Sequence, residues 1–383
     1  MKQNPKLDAL TMDLFRQLMA EDTVNPPGNE MRAAAVLEKV FRDEGILCEV
    51  QDLGDNRANF IAQLGTGRPR LEFCGHLDVV PAAGEWRHTK IGATEEDGLL
   101  YGRGACDMKG GIAAMCAAAI WMHRNSLPGS DSLRLCFVAD EECDNLGMHA
   151  FQNTREAACR TILGEPTDLH VAVAHRGAAR EYIDLHGLSC HSALRPEGET
   201  AMTRAARAVL ALDEMNQRLL SRKHPVLPPP SVAVTLVHGY VKDNVIPPVV
   251  RLMTDYRILP GTDSASARAD VVSALEGAGI TDFTLERCFY MPGGETDPDD
   301  PFVRICLETA AALNEREEKA EPFRASCEQC FLVEKGSRTV ILGPGSLDQA
   351  HTADEYAEKK QLLRAAYLYM EIARHVAREG QEA

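Results

Sequence analysis

Four short apolar runs, each closing on a polar residue capable of chemistry, set the rhythm of the chain. Leu71 to Gly75 runs into His76, Ser132 to Ala139 into Asp140, Glu141 and Glu142, Thr161 to Gly164 into Glu165, and Thr339 to Leu342 through Gly343-Pro344-Gly345 toward His351. Runs of this length bounded by turn residues read as buried strands. In α/β proteins the ends of such strands are where ligands bind. Gly110 to His123 is Ala-rich and apolar nearly all round, which predicts a buried helix.

Between Glu165 and a helix starting near Pro301 the pattern changes. Arg180 to His186 alternates as a strand, Glu199 to Arg222 has the period of an amphipathic helix, and Ser231 to Val237 and Val249 to Arg257 read as strands. A helix over Ser264 to Gly277 and a strand over Thr284 to Phe289 complete the set. Strand, helix, strand, strand, helix, strand is a ferredoxin-like order. The expected architecture is therefore α/β: a catalytic domain with a mixed central sheet flanked by helices, built from residues 1–175 and 293–383, interrupted by an inserted ferredoxin-like α+β domain over residues 176–292. The Pro-rich Pro225 to Pro230 reads as a loop inside the insert.

Five residues at or near the run ends have the chemistry of metal ligands. They are His76 in GHLDVVPAAGEW, Asp107 in YGRGACDMKGG, Glu142 in ADEEC, Glu165 in GEPTDL and His351 in GPGSLDQAHTADEY. Carboxylates and imidazoles are donors that divalent zinc accepts. Asp107 lies among glycines just before the predicted helix, where a carboxylate with both oxygens free could bridge two ions. A Gly-rich loop before a helix can instead cradle phosphate, but this one lacks the Walker pattern. Three adjacent acids at 140–142 are either a solvated charge run or a metal site. If the chain stays extended there, Glu142 and Glu141 face opposite ways, one toward metal and the other toward the attacking water as general base. Side chains two apart on a strand share a side, so Asp78 is expected to accept a hydrogen bond from the His76 ring nitrogen turned away from the metal.

These motifs, in this order, resemble the di-zinc aminoacylase and carboxypeptidase (metallopeptidase) family that includes acetylornithine deacetylase and succinyl-diaminopimelate desuccinylase. The resemblance runs from DTVNPPGNE at Asp22 to Glu30 through to HTADEY. It implies a zinc-exopeptidase-like catalytic domain with two zinc ions, for which cobalt can substitute. In that scheme Asp107 bridges, His76 and Glu165 complete one ion, Glu142 and His351 complete the other, Glu141 is the acid/base, and the peptide bond after Asp107 is cis. His191, in HGLSCHSALRPEGETA of the insert, is implied to reach across a homodimer formed through the inserted domain and polarise the partner's substrate. Asn244 in DNVIP and Arg257 in DYRILPG match positions that contact substrate, and a guanidinium suits a bidentate grip on a carboxylate. In that family Glu rather than Asp at the position of Glu165 accompanies deacylases and some carboxypeptidases, and the resemblance implies that this chain leans to deacylation. DYRILPG and HSALRPEG are similar to acetylornithine deacetylase, whereas DNVIP is similar to the desuccinylase. The expected reaction is removal of an acyl group from a small N-acyl amino acid, first of all N-acetyl-L-ornithine, a step of arginine biosynthesis. A metallo-carboxypeptidase or dipeptidase, the desuccinylase, and a non-catalytic metal-binding protein are the alternatives. A base at Glu141 argues against the last, because a structural site closes its coordination sphere.

Composition narrows the partners. Over 383 residues, 41 basic against 57 acidic side chains give a formal net charge of −16, which argues against nucleic acid and anionic membranes. No apolar span reaches membrane-crossing length and MKQNPKLDAL has no apolar signal region, so a cytoplasmic protein is expected. Of the 12 cysteines, Cys74, Cys116 and Cys136 sit in apolar runs and read as core residues of a reducing compartment. Cys327-x-x-Cys330 has a spacing that can bind metal or do redox chemistry, but no second pair lies near it. Cys106 and Cys190 flank Asp107 and His191, which suggests a site sensitive to oxidation.

Overall fold

Each of the four apolar runs forms a strand, and the four lie side by side. In the computed structural model, which describes residues 4–194 and 197–379, Leu133–Val138 pairs in parallel with Leu71–His76, Leu71–His76 with Arg160–Leu163, and Arg160–Leu163 with Arg338–Ile341. Parallel pairing brings all four carboxyl ends to one edge of the sheet. The hairpin of Leu47–Gly54 and Arg57–Leu64 adds antiparallel strands on the Leu133–Val138 side, so the sheet is mixed.

The chain divides into two units. One takes in the chain up to Val173, Glu295–Phe323 and the chain from Cys327 onward, and the other takes in Ala174–Gly294 with Arg324–Ser326. In the first unit the helix Lys109–Arg124 packs between Pro5–Met19 and Lys359–Glu379. Every residue from Lys109 to Ile120 is buried, as the all-round apolar pattern predicts. The exception in kind is Lys109, whose ammonium donates to the Glu21 carbonyl at 2.7 Å and which burial pushes down to about 8. Glycine lets this helix press onto the strand ends: a Cβ on Gly111 would lie 2.5 Å from the Gly164 carbonyl oxygen. That contact carries the turn holding Asp107 up against the end of the Arg160–Leu163 strand. Nearby, Phe41, Phe60 and Phe137 form a buried aromatic cluster, with Phe41 edge-on to Phe60 at 5.2 Å between centroids and Phe60 stacked on Phe137 at 6.2 Å. Each such ring contributes roughly 2 kcal/mol by leaving water.

The second unit is a four-stranded antiparallel sheet in the order Ser231–His238, Val249–Ile258, Gly177–His186, Phe283–Met291. The helices Ala201–Leu219 and Ser264–Gly277 pack on it, burying Ile183, Leu185, Leu252, Tyr256, Val271 and Leu275. This is the ferredoxin-like order read from the sequence. The alternation along Val249–Ile258 puts every second residue into that core.

Candidate metal centre

The five expected ligands all belong to the first unit, and they meet around Asp107. Its Oδ1 lies 3.1 Å from His76 Nε2, which in turn is 3.6 Å from Glu165 Oε1. Its Oδ2 lies 3.4 Å from His351 Nε2, which is 3.1 Å from Glu142 Oε1. One carboxylate thus faces two separate imidazole–carboxylate pairs, one with each oxygen. The peptide bond between Asp107 and Met108 is cis.

The surroundings hold this arrangement through backbone N–H groups. Glu355 Oε1 accepts from the amides of Gly104, Cys106 and Asp107 at 3.1, 2.9 and 3.1 Å, and its other oxygen pairs with Arg103. The Gly-rich turn is therefore built around a buried carboxylate. Asp78 behaves differently from the sequence expectation. Its Oδ1 stands 3.6 Å from His76 Nδ1, and that nitrogen instead donates to the Asp78 backbone carbonyl at 3.0 Å. Either way the proton on Nδ1 is fixed, so Nε2 offers a lone pair to a cation once it gives up the proton it shares with Asp107. The Asp78 carboxylate accepts from the amides of Glu141 and Glu142, both at 3.1 Å, and from Asn25 Nδ2 at 2.8 Å. That grip, with Asp140 at a φ of 72°, turns the chain after Ala139. Glu141 and Glu142 are therefore separated by a turn and not by the alternation of an extended strand. Asp140 is itself held by Asn25 at 2.9 Å and Arg57 at 2.8 Å, and caps the amide of Leu146. The positioning roles of Glu355, Asn25 and Arg57 went unread in the sequence. For the first two a signal existed, since they stand inside HTADEY and DTVNPPGNE.

The electrostatics are those of crowded acids. Burial pushes Glu141, Glu142 and Glu165 up, and neighbouring carboxylates add to the shift. Asp107 is also buried, yet hydrogen bonds from His351 and His76 hold it below the usual carboxylate range. Burial opposes charging His76, but Asp107 and Asp78 keep it well above the ordinary imidazole value, and Asp107 and Glu142 push His351 up to about 10. Imidazole protons are thus drawn in to offset the acids, a part that a divalent cation fills with more charge. The donor set fits such an ion. Donor atoms of His76, Asp107 and Glu142 lie within 4.8 Å of one another, and Glu165 Oε1 is buried with no hydrogen-bond partner. The Glu141 carboxylate makes no hydrogen bond among the described residues, so it is free to handle a proton.

His191, Asn244 and Arg257 belong to the second unit. The two-residue strands Cys190–His191 and Val245–Ile246 pair and bring Asn244 Nδ2 to 3.1 Å from His191 Nε2. The Ala193 amide donates to His191 Nδ1 at 3.1 Å, which leaves the ring proton on Nε2. Turned about its terminal bond, Asn244 would offer that proton its otherwise unpartnered Oδ1. Arg257 is not part of this pair: it stands at the other end of the Val249–Ile258 strand, 2.7 Å from Asp255. Arg195 and Pro196 of the HSALRPEG motif lie outside the described residues. Cys327 and Cys330 are buried at the start of the Gln329–Glu334 helix, where burial pushes both thiols up, and Cys106 is buried likewise. Thiols so placed are inert.

Known proteins resemble this chain in sequence and in fold. Over 381 residues the chain is 29% identical to the acetylornithine deacetylase of Klebsiella pneumoniae, covering 95% of this chain and 97% of that one. The structure of aminopeptidase PepT from Bacillus cereus superposes with a TM-score of 0.80 at 20% identity, covering 97% of this chain and 99% of that one. The YXEP protein of Bacillus subtilis, described as a dinuclear metal binding peptidase, gives a TM-score of 0.75 at 15% identity over 98% and 99% of the two chains. Residues 73–375 match the sequence profile of peptidase family M20/M25/M40, a span that includes the whole of the Asp107-centred cluster. The chain belongs to peptidase family M20/M25/M40 and is a metal-dependent hydrolase of amide bonds.

Proposed function

We propose that this enzyme removes the acyl group from small N-acyl amino acids, N-acetyl-L-ornithine first among them, with two zinc ions that cobalt can replace. The observation that carries the reading is the Asp107 carboxylate presenting one oxygen to His76 and Glu165 and the other to His351 and Glu142, beside a Glu141 with no other partner. The 29% identity to an acetylornithine deacetylase over nearly the full length supports the substrate class. When bound, two zinc ions supply Lewis acidity, polarising the scissile carbonyl and making water acidic enough to attack near neutral pH. Glu141 takes the proton released in that attack and returns it to the leaving amine. Asp78 and Asn25 fix the turn that aims Glu141 and Glu142. In a dimer, His191 of one copy would donate its Nε2 proton to the oxyanion developing in the site of the other, with Asn244 beside it, and Arg257 would grip the substrate carboxylate once released from Asp255.

The same proposal includes a homodimer formed through the inserted domain. Ser231–His238 is an edge strand with Leu236 and Val237 exposed, and Tyr240 and Val241 follow it, also exposed. An apolar sheet edge of this kind is a template for pairing with a second copy. A reaction of this kind would serve arginine biosynthesis in the cytoplasm. Among the described residues no helix is long and apolar enough to cross a membrane.

The test is amine release by the zinc- or cobalt-loaded protein from N-acetyl-, N-succinyl- and N-formyl-amino acids and from dipeptides, with a chelator control. Chelator-sensitive turnover greatest on N-acetylornithine is the expected result. Turnover confined to dipeptides would replace the deacylase reading with a peptidase one.

A further inference from the structure

Three residues beyond His351 the chain makes a second connection that the proposed mechanism does not use. The Asp354 carboxylate accepts from the Arg87 and His88 amides, both at 3.0 Å to Oδ1, and lies 3.1 Å from the His88 ring at Nδ1. The other ring nitrogen, Nε2, is 2.8 Å from Glu96 Oε2. His88 therefore stands between two carboxylates from different elements: the His351–Glu355 turn and the Thr94–Glu96 strand. Its ring stacks on Tyr101 at 3.8 Å between centroids and 9° between planes. Tyr101 is in register with Tyr356, where the turn runs into the Tyr356–Glu358 strand.

We infer that His88 is a positioning residue, a proton-dependent clasp that holds the turn carrying His351 against the small sheet beside the metal centre. The chemistry follows from counting protons. An imidazolium has two N–H groups and satisfies both carboxylates, while a neutral imidazole has one and must set a lone pair against the other. The turn needs such a hold, because His351 and Asp354 both adopt left-handed backbone, with φ of 62° and 52°. Glu355 anchors the turn from the Asp107 side, leaving Asp354 as the anchor on the outer side. The charged groups facing the ring are Glu96 from its strand and Asp354 from the turn. The Arg87 guanidinium lies 3.4 Å from Asp354 Oδ2, and the Tyr101 and Tyr356 phenols lie beneath.

The sign of the pH dependence is fixed by this geometry. Glu96, then Asp354, raises His88 above its ordinary value. The clasp is thus complete below about 6.5, the ordinary imidazole value, and is lost as pH climbs through the raised one.

The inference rests on the proposed function only in taking His351 as a ligand, and two measurements keep them apart. In metal-free protein, amide hydrogen exchange across 352–356, corrected for intrinsic rates, should lose about tenfold in protection as pH rises past the His88 midpoint followed by NMR. Glu96→Gln should lower that midpoint, and His88→Gln, which keeps one donor and one acceptor without titrating, should make the protection independent of pH. Flat protection in the unaltered protein, or a parallel loss in H88Q, overturns the clasp. With cobalt alone as the probe, the ion on the His351 and Glu142 side should leave faster above the same midpoint. A pH-dependent clasp with unchanged cobalt release would instead overturn His351 as a ligand.

Discussion

The two halves of the Asp107 site are built from the same residue types but on different foundations. His76 emerges from a strand flanked by parallel neighbours on both sides, its side chain is 1% exposed, and Nδ1 is anchored on a backbone carbonyl. His351 stands on a left-handed turn beyond the last of the four strands. Its side chain is 52% exposed, and among the described residues Nδ1 has no hydrogen-bond partner. Strand pairing determines the first half, whereas the second depends on whatever keeps a loop in place. An ion in the His76–Glu165 half should therefore be the harder to remove, because its ligands lose least freedom on binding.

Asp107 is common to both halves, so its removal erases the contrast. Asp107→Ala should abolish binding of both ions, counted by elemental analysis after dialysis, and bring turnover below detection. Retention of one tightly held ion would mean that the halves do not share a bridging carboxylate. Glu141→Gln should leave the contrast intact while stopping the chemistry. Turnover should fall by about 100- to 10,000-fold, the usual contribution of a general base, with the metal count unchanged. Near-normal turnover would take the base assignment away from Glu141.

Replacing the two histidines in turn measures the contrast itself. His351→Ala should weaken only the second ion, by more than about 100-fold since even partners outside the ligand shell are worth 10- to 100-fold, and lower the thermal midpoint of the metal-free protein less than His76→Ala does, because the His351 ring is half exposed. His76→Ala should weaken the other ion and also destabilise the metal-free fold by about 1–3 kcal/mol, because Asp107 and Glu165 would be left buried without their imidazole. Calorimetric metal titration and thermal melts on both variants check this. Equal melting points would show that the two halves are alike in their support.

What the sequence made legible follows the same division. The strands under His76, Glu142 and Glu165 were readable because buried parallel strands are continuous apolar runs, and their bounds came within a residue or two of those observed. The inserted domain was readable because one-sided burial gives Gly177–His186 and Val249–Ile258 a period of two. The hydrogen bonds that set side-chain direction were not readable. Nothing local tells that Asp78 spends its carboxylate on the amides of Glu141 and Glu142, because the contact joins residues 63 and 64 positions apart. Arg57 reaching Asp140 spans 83 positions, and the grip of Glu355 on the Asp107 turn spans 248. Pattern fixes faces and periods; long-range polar contacts appear only when the chain is folded.

The smallest expected effect belongs to Asn25, and it sharpens the comparison because Asn25 touches no candidate ligand. Its amide nitrogen bridges Asp78 and Asp140 at 2.8 and 2.9 Å, two buried carboxylates that would otherwise face each other. Both carboxylates hold the turn after Ala139, and that turn carries Glu142, a ligand of the looser half. The Leu71–His76 strand, paired on both sides, does not depend on the amide. Asn25→Ala should therefore weaken the ion shared by Glu142 and His351 by about tenfold, at the low end for partners outside the ligand shell, and leave the ion shared by His76 and Glu165 within about twofold. Competition with a chromophoric chelator on the cobalt-loaded protein resolves the two affinities. Equal weakening of both ions would show that Asn25 acts through the whole sheet edge and not through the turn.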